Sequence, residues 1–111
     1  MDISFEHSGD MVVARVNENR IDAAVAIQFK DRMRELLQTA APVVVLDLSQ
    51  VAFLDSSGLG AVVAVMKLLG PGRRLELAGL TPGVLRVFRL TRMDSVFTIH
   101  DAAPPSLRHA G

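Results

Sequence analysis

The 111-residue chain predicts a single α/β domain, with helices packed on a mixed β-sheet of four to five strands and an N-terminal β-hairpin at its start. Three observations carry that expectation. Short runs of β-branched residues alternate with segments of helical periodicity. The first two extended runs are separated only by Ser8-Gly9-Asp10, which is turn chemistry. The run Val43-Val44-Val45-Leu46-Asp47-Leu48 is apolar nearly throughout, as a strand covered on both faces requires.

The elements follow in order. Residues 3–7 alternate apolar and polar and residues 11–16 resume extended character, so together they predict the hairpin. After a polar turn at 17–20, Asp22 stands as N-cap of a helix over 23–38, where Ala26, Phe29, Met33, Leu36 and Leu37 recur at helical spacing. Ala40-Ala41-Pro42 stops it, because the residue before proline is pushed out of the α region. The central strand comes next and leads through a polar turn into a second helix, ended by Gly70-Pro71-Gly72. Residues 73–78 predict a short strand, and Thr81-Pro82 supplies N-cap and first position of a third helix to about residue 90 with Val84, Val87 and Phe88 inward. Phe97-Thr98-Ile99 reads as a last edge strand. The domain therefore spans residues 1–100, and the tail 101–111, interrupted by Pro104-Pro105, holds one helical turn or frays.

Composition narrows function. Half the residues are apolar, and twelve basic side chains balance twelve acidic ones with no long block of either sign. Such a chain has no electrostatic footprint for nucleic acid or anionic lipid. The absence of Cys excludes disulfides, thiolate metal sites and a Cys nucleophile. The longest apolar run, 59–69, is interrupted by Lys67 and too short to span a bilayer, so a cytoplasmic protein without membrane insertion is expected. His7, His100 and His109 have no carboxylate or histidine at ligand spacing, and neither a metal nor a cofactor is expected.

The most informative stretch is Phe53-Leu54-Asp55-Ser56-Ser57-Gly58-Leu59-Gly60, where a strand ends and a helix opens. Either Asp55 or Ser56 can cap that helix by accepting from its first free N–H groups. Together with Ile21-Asp22-Ala23-Ala24 and Val45-Leu46-Asp47-Leu48-Ser49, this stretch resembles the STAS domain, and within it the bacterial anti-sigma factor antagonists. The resemblance covers roughly residues 3–99 and is most specific at Asp55 to Gly60. It implies a single STAS-like domain in which the second serine, Ser57, is phosphorylated by an anti-sigma factor that is also a serine kinase. The unphosphorylated form would bind that factor, phosphorylation would block binding, and a serine phosphatase would reset it. It also implies that Asp22 lies near the serine loop and helps hold it or the partner. Family members usually close with a helix, from which Pro104-Pro105 departs.

Helical geometry at about 100° per residue gives an independent reading of residues 57–69. Leu59, Val62, Val63, Met66 and Leu69 form a stripe expected on the sheet, while Ser57, Ala61, Ala64 and Leu68 line the opposite face, flanked by Gly60 and Lys67. Small residues beside a serine make a flat surface for a partner. Asp22, Asp55, Ser56, Gly58, Gly60, Ala61, Ala64 and Leu68 are thus the candidate partner-binding residues, with Ser57 as the switch. A phosphate would add roughly −1.5 to −2 charges there, tolerated by a helix N-terminus but costly to cover beside Asp55 with no arginine on the face.

Plainer readings stand beside these. Ser-Ser-Gly at such a turn is often capping chemistry alone, Asp22 a plain N-cap, and Asp47 either a buried neighbour of the site or a residue that holds backbone in its turn. Arg73-Arg74 reads as a solvated loop pair, and residues 30–35 as the charged outer face of the first helix. Three rival functions apply. A hydrolase lacks its Gly-x-Ser-x-Gly elbow, a nucleotide- or anion-binding module lacks the P-loop lysine, and a STAS subunit of a membrane transporter complex is compatible with both serines.

Overall fold

The computed structural model describes residues 1–38 and 41–104. A five-stranded mixed sheet is built from β1 (Ile3–Ser8), β2 (Met11–Val16), β4 (Val43–Asp47), β6 (Arg74–Ala78) and β7 (Ile99–His100), in that spatial order. β1 and β2 form the antiparallel hairpin, and the other neighbours are parallel. Ser8 pairs with Met11, leaving a two-residue turn whose first residue, Gly9, has φ 64°, a conformation that glycine adopts without a Cβ penalty.

Register explains the core. Val12, Val44 and Leu75 are level across β2, β4 and β6, and so are Ala14, Leu46 and Leu77. All six are buried in the main hydrophobic cluster with Phe29 and Met33 of α1 (Ala26–Leu36), Val62 and Val65 of α2 (Ser56–Leu69), and Val84 and Phe88 of α3 (Pro82–Leu90). Each large side chain so covered contributes about 1.5–3 kcal/mol. The alternate residues, Val13, Arg15, Glu76 and His100 among them, point to the other face of the sheet, where Glu76 pairs with both His100 and Arg74. After α3, a 3-10 turn at Met93–Ser95 leads to β7, and Phe97 packs edge-on against Phe88 with ring centroids 5.9 Å apart. No helix among the described residues is long and apolar enough to cross a membrane.

Four local expectations are corrected. The central strand does not lead directly into its helix. After Asp47 the chain turns, with Val51 N–H donating to Leu48 carbonyl at 3.0 Å, and then forms a second parallel pair, β3 (Arg20–Ile21) with β5 (Phe53–Leu54). The first helix begins at Ala26 instead of 23, because Asp22 makes a local turn: its Oδ1 accepts from Ala24 N–H at 3.1 Å while Ala23 N–H is drawn to another acceptor. Arg73 is not a solvated loop residue. It donates to the carbonyls of Ala41 (2.9 Å) and Leu37 (3.2 Å), pinning the end of α1, where free carbonyls and the helix dipole favour a cation. Arg74 opens β6, and its Nε lies 3.3 Å from Glu76. The last strand covers Ile99–His100, two residues beyond the start expected for it. Ala40 and the tail beyond residue 104 lie outside the described residues.

Candidate functional site

The serine turn is assembled from two short parallel strands that end side by side. Arg20 and Ile21 pair with Phe53 and Leu54, so Asp22 and Asp55 leave the pair at the same level. Asp55 is the N-cap of α2 in extended conformation, and its Oδ1 accepts from Gly58 N–H at 2.9 Å. Its other oxygen, Oδ2, accepts from Ala23 N–H at 3.3 Å. One carboxylate thereby caps the helix and ties the 22–25 turn to it. An N-cap of this kind is worth about 1 kcal/mol. The choice left open between Asp55 and Ser56 is resolved, since Ser56 is the first helical residue and Asp55 the cap.

Gly58 explains how closely the two segments approach. A Cβ at this position would collide with the carbonyl oxygen of Ile21 and come within 3.1 Å of Leu54 Cγ. Only glycine lets β3 lie against the first turn of α2. Gly58 is therefore buried beneath the surface, while Ser56 and Ser57 are exposed above it.

Helix α2 packs on both the sheet and α1, so its buried arc is wide: Gly58, Leu59, Ala61, Val62, Val65 and Leu69. That corrects the expected faces. Ala61 is buried at 3% exposure instead of lying on the open face, Val65 joins the core, and Val63 and Met66 are half-buried. The open line runs through Ser57, Gly60, Ala64 and Leu68, with Lys67 beside it. Gly60 has open space where a side chain would stand, Ala64 is half-buried and Leu68 is 47% exposed.

Residues that the sequence did not single out complete the surroundings. Phe53 is 47% exposed, and the Arg20 guanidinium carbon sits 5.2 Å from its ring centroid. Arg20 Nε also lies 3.7 Å from Asp22 Oδ2. An arginine does therefore stand on the strand pair that leads into the serine turn, against Phe53 and Asp22. Ile27, at the start of α1, is 66% exposed. Asp47 is not on it: buried, it ion-pairs with Arg15 at 3.0 Å and accepts from Ser49 N–H at 2.9 Å, holding backbone in its own turn. A recess of about 400 Å³ lined by Lys67, Arg73, Arg74 and Val96 lies at the far end of α2, not at the serines.

Known proteins share this sequence pattern and fold. The STAS domain model matches residues 2–103. The anti-sigma-B factor antagonist of Listeria monocytogenes is 33% identical over 81 residues, which are 71% of this chain and 70% of that protein. The crystal structure of an anti-sigma factor antagonist from Mycobacterium paratuberculosis superposes with a TM-score of 0.81 at 26% identity, covering 91% of this chain and 86% of that one. The Bacillus cell fate determinant SpoIIAA in its phosphorylated form shares the fold, with a TM-score of 0.63 at 22% identity over 88% of this chain and 90% of that one. With the family model spanning nearly all the described residues and a relative one-third identical over most of its length, the chain belongs to the STAS domain family and, within it, to the anti-sigma factor antagonists.

Proposed function

We propose that this chain is a cytoplasmic partner-switching regulator, not an enzyme, whose switch is Ser57. Unphosphorylated, it binds an anti-sigma factor with serine kinase activity through the surface of Ser56, Ser57, Gly60, Ala64 and Leu68, with Asp22 and Asp55 at its edge and Gly58 and Ala61 supporting it from beneath. The kinase transfers phosphate to Ser57 and the complex parts. A serine phosphatase restores the binding form.

The observation that carries this reading is the exposure of Ser57 at the second position of a helix whose N-cap is Asp55. The cap is supplied by Asp55 and the Ser57 side chain is exposed, so the hydroxyl is accessible to a modifying enzyme. A phosphate there meets the positive end of α2, which favours it by roughly 0.3–1 kcal/mol at an exposed site. Covered by a partner, the same dianion has to shed water beside the Asp55 carboxylate. The domain tolerates the group and the interface does not. The phosphorylated state of the fold relative SpoIIAA is in keeping with such a switch.

The test is to incubate the chain with each kinase-like anti-sigma factor of its own genome and map the phosphate by mass spectrometry. One phosphate on Ser57 is expected, with Ser57→Asp binding the same factor at least tenfold more weakly while unfolding within roughly 0.5 kcal/mol of the parent. Modification of Ser56 instead, or undiminished binding by Ser57→Asp, would sink the reading.

A further inference from the structure

We propose that Arg20 is the internal counter-ion of the switch: when Ser57 carries a phosphate, the Arg20 guanidinium leaves Asp22 and the Phe53 ring and pairs with that phosphate. The inference rests on the reading of Ser57 as the modified residue, and four observations support it.

The strand that bears Arg20 runs flush along the serine turn. It pairs in register with β5, and the Ile21 carbonyl occupies the space a side chain on Gly58 would need. The Arg20 side chain leans along that strand toward the turn, since its Nε reaches within 3.7 Å of Asp22. That hold is loose. The separation exceeds hydrogen-bond length, and the Arg20 side chain is 61% exposed. Finally, three other cations are distant or engaged. Lys67 is ten residues along α2, about 15 Å by helical rise, while Arg15 is held by Asp47 and Arg73 by two carbonyls.

A phosphate offers what Asp22 does not. It carries up to twice the charge and three acceptor oxygens, which suit the guanidinium fork. It also stands beside Asp55, whose two oxygens are occupied by Gly58 and Ala23 N–H groups, so the added charge needs a cation from elsewhere. Moving Arg20 strips the cover from Phe53 and frees Asp22. Phosphorylation then alters the surface of residues 20–24 and 53 along with that of Ser57, and a partner sees two changes from one modification.

The experiment uses the full chain with phosphoserine built in at position 57 during synthesis, titrated by phosphorus NMR beside Arg20→Gln, Arg20→Lys and Lys67→Gln versions. A guanidinium in contact should lower the second ionisation of the phosphate by about half a pH unit relative to Arg20→Gln. Arg20→Lys should recover part of that shift, and Lys67→Gln should match the parent. In the parent itself, the Arg20 Nε–H cross-peak should move between the phosphorylated and unphosphorylated chains. The same ionisation in the parent and Arg20→Gln, with the Nε–H cross-peak unmoved, overturns the proposal. Because the phosphate is placed by synthesis, this result is independent of whether any kinase modifies Ser57, and the two readings fail separately.

Discussion

Leu46-Asp47-Leu48-Ser49 and Leu54-Asp55-Ser56-Ser57 each carry an aspartate at the end of a parallel strand and a serine two residues later. The first ends a strand in the middle of the five-stranded sheet. Asp47 is opposite Arg15 on the neighbouring strand, and burial plus the ion pair commit one oxygen across the sheet and the other to its own turn. The second ends a strand in a two-residue pair at the rim. Asp55 also has both oxygens engaged, but by backbone N–H groups of two segments, and its serines face solvent. Nearly the same tetrapeptide serves as a staple in one place and as a platform in the other. The difference lies in the neighbours: a long strand on each side in the first case, and in the second a helix that starts at once and leaves its outer face open.

The comparison can be broken most severely at Gly58. Gly58→Ala drives a methyl into the Ile21 carbonyl, so the rim pair has to separate from α2, at a cost of about 3 kcal/mol in urea unfolding. A loss under about 1 kcal/mol would mean that the two segments are not held as tightly as their contact indicates. Next is the staple. Asp47→Ala removes the ion pair and the Ser49 N–H acceptor together, and with Arg15 36% exposed and partly solvated the expected loss is about 2 kcal/mol by the same measurement. The smallest effect sharpens the contrast most. Asp55→Ala should cost about 1 kcal/mol, the value of a cap, yet hydrogen exchange at the Ala23 and Gly58 amides should rise well beyond that of the sheet, which Asp47→Ala would not produce. Equal exchange changes in the two variants would erase the distinction between staple and platform.

Much of the site was legible because it depends on short-range chemistry. Asp55 and its serines announce a cap and a helix start within four residues, and Gly9 announces the hairpin turn. What was not legible depends on partners distant in sequence. The periodicity of α2 gives a bulky stripe and a small-residue one, but it cannot say that α1 lies beside the helix, which is why Ala61 and Val65 are buried while Val63 and Met66 are only half-buried. Nor could it show that Asp22 would yield its place as N-cap. That outcome follows from Ala23 N–H bonding to a carboxylate 32 residues away.

The chain by itself determined the α/β alternation, the hairpin, the capped serine helix and the family to which these belong, because turn chemistry and hydrophobic period are local properties. Only the tertiary structure decided the remainder: the rim pair of Arg20–Ile21 with Phe53–Leu54, the bridge from Asp55 to the 22–25 turn, the carbonyl clamp of Arg73 and the place of Arg20 over the Phe53 ring. Each of these joins segments about 30 residues apart or more, or depends on such a junction, and a polar group chooses among distant partners only when folding has brought them within reach.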